Sequence, residues 1–149
     1  MEVTALVPAE VRVAPLFQEL NRWQRLPFTW GETDCCLTLA DWIMRVTGRD
    51  PAAHLRGLYE SAAECQRLTG FLTDPVACFE DCFATIGDLP RRSDPVPGDV
   101  AVYRRAGERW PFGGVWTGQR WASKGRDGVT LLKPGYVATL AVWGVGYAG

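Results

Sequence analysis

Histidine is the scarcest chemistry-bearing residue in this sequence: 149 residues contain one, His54. A nucleophile that needs an imidazole therefore has a single candidate to draw on. No apolar run approaches the ~20 residues that span a bilayer, so no membrane span is expected. The first residues also lack the basic region and apolar segment of a signal peptide. Charge of one sign is not in excess: 16 Lys and Arg stand against 17 Asp and Glu, a net charge of −1. The arginines are scattered rather than striped, which leaves no electrostatic footprint for nucleic acid or an anionic membrane. The five cysteines are odd in number, and two of them, Cys35 and Cys36, are adjacent. No Cys-x-x-Cys pair occurs. This argues against a disulfide framework and for free thiols in a reducing compartment, so the chain is expected to be made in the cytoplasm. Internal repeats and low-complexity tracts are absent as well.

What is present is apolar and ordered along the chain. Hydrophobic residues make up 47%, enough for one substantial core, so residues 1–149 read as a single domain with residues 1–14 as an N-terminal arm. Pro15 can open a helix with Leu16, Phe17, Leu20 and Trp23 on one face, ending near Pro27. A second helix runs from Cys35 to Thr47 with Cys36, Leu39, Ala40, Ile43 and Met44 inward, stopped by Gly48. Asp50-Pro51 caps a short helix through His54 and Leu55. Ser61-Ala-Ala-Glu64 is a capping box for a helix closed by Gly70, and Asp74-Pro75 caps another that ends at Gly87. Beyond Pro90 the period changes to that of strands. Val100–Tyr103, Gly114–Trp116, Val129–Leu132 and Thr139–Trp143 are β-prone runs separated by Gly, Pro and Asp. Helices followed by closely spaced strands predict an α+β fold in which N-terminal helices pack on a C-terminal antiparallel sheet. Residues 88–98 form the one linker-like stretch, read as an internal loop.

The stretch richest in chemical meaning is Phe28-Thr-Trp-Gly-Glu-Thr-Asp-Cys-Cys. It sets Cys35 at the start of a helix, behind Asp34 as N-cap and a Trp30-Gly31 bend. A thiol there faces the positive end of the helix dipole, which favours the thiolate. Cys35 is thus the candidate nucleophile of a cysteine hydrolase; its alternative role is a small buried residue. His54 is poorly placed to assist. The Cys35–Thr47 helix is about 20 Å long at ~1.5 Å per residue, and one returning turn recovers only about 6 Å. Asp41, nearly two turns along the same helix, is no better placed as a base. Cys36, Cys65, Cys78 and Cys82 fit apolar helix faces more readily than a metal or iron–sulfur site, so neither metal nor cofactor is expected. Trp30, Trp42, Trp116 and Trp143 fall at predicted core or strand positions. Trp110 and Trp121, near loops, are the aromatic candidates for a partner or glycan surface.

The order of these motifs resembles the NlpC-type cell-wall cysteine peptidases, a compact papain-like group. Asp34-Cys35-Cys36-Leu37 matches the nucleophile motif, and Pro97-Gly98-Asp99-Val100 matches the strand start that follows it. Phe112-Gly-Gly-Val-Trp-Thr-Gly118 fits the strand that the catalytic histidine opens, but the aligned residue is Phe112. The third, orienting group falls near Ser123 or Lys124. Over residues 15–143, Phe28-x-Trp-Gly-x-x-Asp-Cys, Ala40-Asp41-Trp42, Thr47-Gly-x-Asp-Pro-Ala-Ala and Leu55-Arg-Gly-x-Tyr59 together resemble an uncharacterised family encoded in tail gene clusters of phages, prophages and gene transfer agents. That resemblance implies a virion component in a tail tip or baseplate, assembled in the host cytoplasm, with other tail hub or baseplate proteins as partners. Peptidoglycan is a further implied ligand. With Phe112 in the histidine's place, the implied protein is a pseudoenzyme with a vestigial Cys35; the alternative is an active peptidase or amidase cleaving peptidoglycan during genome entry. The apolar terminal segments, Val3–Val7 and Ala141–Gly149, suggest docking onto the domain's own core or onto a neighbour.

Overall fold

The structure, a computed structural model, describes residues 14–148. Four helices come first among these residues: α1 (Pro15–Arg25), α2 (Cys35–Thr47), α3 (Ala62–Thr69) and α4 (Pro75–Ala84). The strands β1 (Val100–Arg105), β2 (Pro111–Trp116), β3 (Trp121–Gly125), β4 (Gly128–Leu132) and β5 (Val137–Trp143) follow. They form one antiparallel sheet in the order β4-β3-β2-β1-β5. The α+β class and the helix-then-strand order are as the sequence predicts. The N-terminal arm lies outside the described residues.

Local chemistry explains the helix boundaries. Ser61 Oγ accepts the Glu64 N–H at 3.1 Å, and the Glu64 carboxylate in turn accepts the Glu60 N–H at 3.1 Å. Asp74 accepts from Ala77 N at 3.1 Å, ahead of a proline in the first turn of α4. Gly48 ends α2 in the left-handed conformation, which costs glycine little because it has no Cβ. Three expectations are corrected. Asp50-Pro51 does not start a helix: residues 51–57 form consecutive turns, with Leu55 N bonded to Ala52 O three residues back. Phe17 and Met44 are exposed rather than inward, because α1 and α2 each turn an adjacent face to the sheet. Residues 121–125 form a strand, although Trp121 is expected near a loop.

The sheet separates two apolar layers. On its helix side, Leu16, Leu20 and Trp23 of α1, Leu39, Trp42 and Ile43 of α2, and Phe79 and Phe83 of α4 pack on Val100, Val102, Val115, Ala122 and Trp143. On its outer side Ala101, Tyr103, Trp121 and Val142 cluster beneath Phe112 and Trp116. Burying one of the larger side chains contributes about 3 kcal/mol, so this double layer is the main source of stability. The end of the chain joins the first layer. Val145 is buried, the Tyr147 ring meets Trp42 edge-on at 4.9 Å, and the Tyr147 hydroxyl accepts the Leu16 N–H at 3.4 Å. The apolar C-terminal segment therefore docks on the domain's own core through Tyr147. Gly98 makes this possible: its carbonyl accepts the Trp42 indole N–H at 2.9 Å, and a Cβ there would sit 2.6 Å from Tyr147.

Candidate functional site

Asp34 builds the site. It is 1% exposed and accepts four hydrogen bonds. Oδ1 takes Cys36 N at 3.1 Å and Leu37 N at 3.0 Å, closing the open end of α2. Oδ2 takes Gly31 N at 2.9 Å and the Tyr59 hydroxyl at 2.7 Å. The loop before the helix and the turn that follows it are thereby tied to one carboxylate. Gly31 is required at the contact: its φ is +80°, and a Cβ would fall 2.1 Å from the Tyr59 carbonyl oxygen. Burial and the neighbouring Asp34 charge push the Tyr59 hydroxyl well above its ordinary pKa, so it stays a donor.

Cys35, half-buried, is the first residue of α2 and opens onto a cleft of about 370 Å³. Phe28 and Trp30 form one wall, their rings edge to face at 5.0 Å. Leu72, Trp110, Pro111 and Phe112 line it as well, with Lys124, Gly125 and Arg126 from the end of β3 and the turn after it. The cleft exists because β2 and β3 part company. They pair only at Val115↔Ala122 and Trp116↔Trp121, and beyond Val115 the strands diverge. At the fork, Ser123 Oγ bridges by donating to the Gly113 carbonyl at 2.8 Å and also contacts the Tyr103 hydroxyl.

Among the described residues the Cys35 thiol has one side-chain hydrogen-bonding partner, the Cys36 thiol at 3.9 Å. That contact, followed by burial, pushes the Cys36 pKa up, so Cys36 remains a thiol and cannot take a proton. Tyr103 is likewise held protonated, its pKa pushed up to about 12 chiefly by burial. Lys124 Nζ donates to the Trp23 carbonyl at 2.8 Å and to the Leu26 carbonyl. A buried ammonium thus caps the C-terminal end of α1, where its charge suits the dipole, although burial lowers its pKa. Phe112 touches the cleft and packs its ring on the outer layer, with the Arg105 guanidinium 5.1 Å from the ring centre. The strand alternation gives the helix side of β2 to Gly113, where a Cβ would meet Phe79 at 2.9 Å and Leu39 at 3.2 Å.

The remaining candidates lie elsewhere. His54 is exposed in a shallow groove with Leu68 and Asp81 and does not line the Cys35 cleft. Asp41 pairs with Arg22 and Arg56, each at 2.8 Å. Cys36, Cys65, Cys78 and Cys82 surround a small apolar cavity behind the cleft, and contact with Cys82 together with burial pushes Cys78 up. No group of three or more His, Cys, Asp or Glu among the described residues is gathered to hold a metal. Trp121, expected near a loop, is 2% exposed in β3. Trp30, expected at a core or strand position, is half-buried: it packs against the cluster of Leu37, Ala40, Ala52 and Tyr59 and also lines the cleft with the exposed Trp110. Phe28 and Tyr59 enter the sequence reading only as motif positions without a role, and Leu72 and Arg126 not at all, since nothing local marks a side chain that a distant segment brings to the cleft.

The family described as Domain of unknown function (DUF6950) matches residues 11–145, so the chain belongs to that family. No curated protein and no solved structure matches the chain.

Proposed function

We propose that this protein is a structural component of a phage-type tail tip or baseplate, built on a degenerate NlpC-type, papain-like cysteine peptidase fold and without hydrolytic activity. One observation carries the inactive reading: Cys35 faces an open cleft in which, among the described residues, no side chain is placed to take its proton. General-base assistance is worth ~10²–10⁴ in rate, and an unassisted thiol is mostly protonated at neutral pH. The cleft offers Asp34, with its oxygens engaged in four hydrogen bonds, Cys36, held as a thiol, and Lys124, bound to two carbonyls. The tail context rests on the sequence resemblance, and the partners it implies are other tail hub or baseplate proteins.

The alternative, a peptidase or amidase acting on peptidoglycan, draws support from the helix-borne Cys35 at an open cleft; it needs a base freed from Lys124 or supplied by a partner. Purified protein is expected to release no muropeptides from peptidoglycan. Release abolished by Cys35→Ala would establish the enzyme instead. Detection of the chain in mature particles tests the structural role, and its absence from them refutes that role.

A further inference from the structure

We infer that the Cys35 cleft is a docking slot for an extended, acidic and apolar segment of a neighbouring polypeptide. The inference rests on the proposed role as an assembly subunit, because the segment belongs to a neighbouring protein. Three features point to it. The walls are aromatic and aliphatic, and Leu72 and Trp110 at the rim are 37% and 48% exposed. Large apolar side chains exposed together beside a cleft mark an interaction surface. The volume of about 370 Å³ lies in the fork where β2 and β3 diverge, a slot open to a chain entering lengthwise.

Charge decides the occupant. Arg126 lines the cleft, and the Arg109 guanidinium stacks 4.5 Å from the ring centre of Trp110, which lines it too, whereas the Lys124 ammonium is turned away to the carbonyls of Trp23 and Leu26. Neither Arg109 nor Arg126 has a carboxylate within ion-pair distance among the described residues. Among the described residues the only carboxylate in the lining is Asp34, whose oxygens are already engaged. A segment that seats apolar side chains between Trp30 and Trp110 and sets acidic residues against Arg109 and Arg126 complements both halves of the slot. A basic segment meets cations at the mouth.

The test uses purified full-length protein and three short peptides of common length. One carries Leu and Phe at alternate positions and ends in Glu-Glu, the second ends in Lys-Lys, and the third replaces Leu and Phe by Ser. The acidic apolar peptide should bind at least about tenfold more tightly than either of the others. Trp110→Ala should weaken it by about tenfold, and Arg126→Glu should reverse the preference between the charged peptides. Tyr136→Ala, on the exposed turn before β5, should leave binding unchanged. Equal binding of the acidic and basic forms, no measurable binding of any peptide, or indifference to both rim variants overturns the inference. So does preferential binding of a muropeptide stem, which assigns the slot to the cell wall. Because this assay needs no particle, the slot can fail while the chain is still found in virions, and the reverse holds equally.

Discussion

Replacing Asp34 by alanine is the most direct test of how the site is held together. The carboxylate is buried and accepts from Cys36 N, Leu37 N, Gly31 N and the Tyr59 hydroxyl. Loss of a helix N-cap alone costs about 1 kcal/mol. Each buried donor left without a partner adds about 1–3 kcal/mol, and Asp34→Ala orphans both the Gly31 N–H and the Tyr59 hydroxyl. The expected loss is about 3–7 kcal/mol, a large part of the ~5–15 kcal/mol that stabilises an ordinary domain. At about 2–4 °C per kcal/mol for a chain of this size, Tm should fall by about 6–28 °C. Tyr59→Phe removes one donor and leaves Asp34 with three others, so it should cost about 1–2 kcal/mol. The double variant separates the explanations. Once the hydroxyl is gone it can no longer be orphaned, so Asp34→Ala combined with Tyr59→Phe should be no less stable than Asp34→Ala alone. Urea melts of the four proteins under reducing conditions measure all of this. A loss of only about 1 kcal/mol in Asp34→Ala, with the two substitutions strictly additive, would show that the residue is a helix cap and nothing more, and would refute the bridge.

Two further outcomes follow from the same structure. Burial pushes the Glu19 carboxyl up, but the Arg22 hydrogen bond and charge, helped by Trp23 and Arg45, outweigh it and hold the pKa below its ordinary 4.5. Its stabilisation is therefore fully present above about pH 4.5 and is lost as the pH falls through the lower folded value, so urea midpoints should drop more steeply below pH 4.5 in the wild type than in Glu19→Gln; parallel curves would refute the linkage. Trp121→Ala empties a buried site on the outer layer and should cost about 3–5 kcal/mol, whereas Trp110→Ala at the exposed rim should stay within about 0.5 kcal/mol of wild type; equal costs in urea melts would contradict the burial.

The first half of the fold was legible because its punctuation is local. Asp34, Ser61 and Asp74 cap from within their own segments, and Pro15, Pro75, Gly48 and Gly70 mark ends by backbone constraint alone. Strand β3 was not legible. Trp121-Ala-Ser-Lys-Gly125 reads as loop because its last residues are polar, yet Ser123 turns outward to Tyr103 and Lys124 inward to the carbonyls of Trp23 and Leu26. Those partners lie 20 and about 100 residues away along the chain, so no window centred on β3 contains the reason for its alternation. The burial of Trp121 has the same origin: its cover comes from Ala101, Tyr103 and Val142, on strands distant along the chain. Cys35 as a helix-borne thiol was legible, since the cap is adjacent. The cleft that gives the thiol an exterior was not, because it is made by two strands diverging more than 70 residues downstream.

The motif residues themselves separate architecture from chemistry. Gly31 admits the Tyr59 carbonyl, Asp34 binds the turn and the helix end together, and Gly98 accommodates Tyr147. Asp99, fully buried, takes Val96 N at 2.9 Å and Val145 N at 3.4 Å and pairs with Arg92 at 3.1 Å. Each uses its polar atoms, or its missing side chain, to hold one part of the chain against another, and none reaches the Cys35 sulfur. Likeness at these positions is therefore evidence about scaffold, and would be the same for a hydrolase and for a protein that only binds. The positions able to distinguish the two are those around the thiol, and on the neighbouring strands the chain places a phenylalanine facing the outer layer, a glycine against α2 and a serine bonded to a tyrosine on the far side of the sheet. Such a set can shape an apolar slot, and Phe112→His is the substitution that would test whether the scaffold still admits a base beside Cys35.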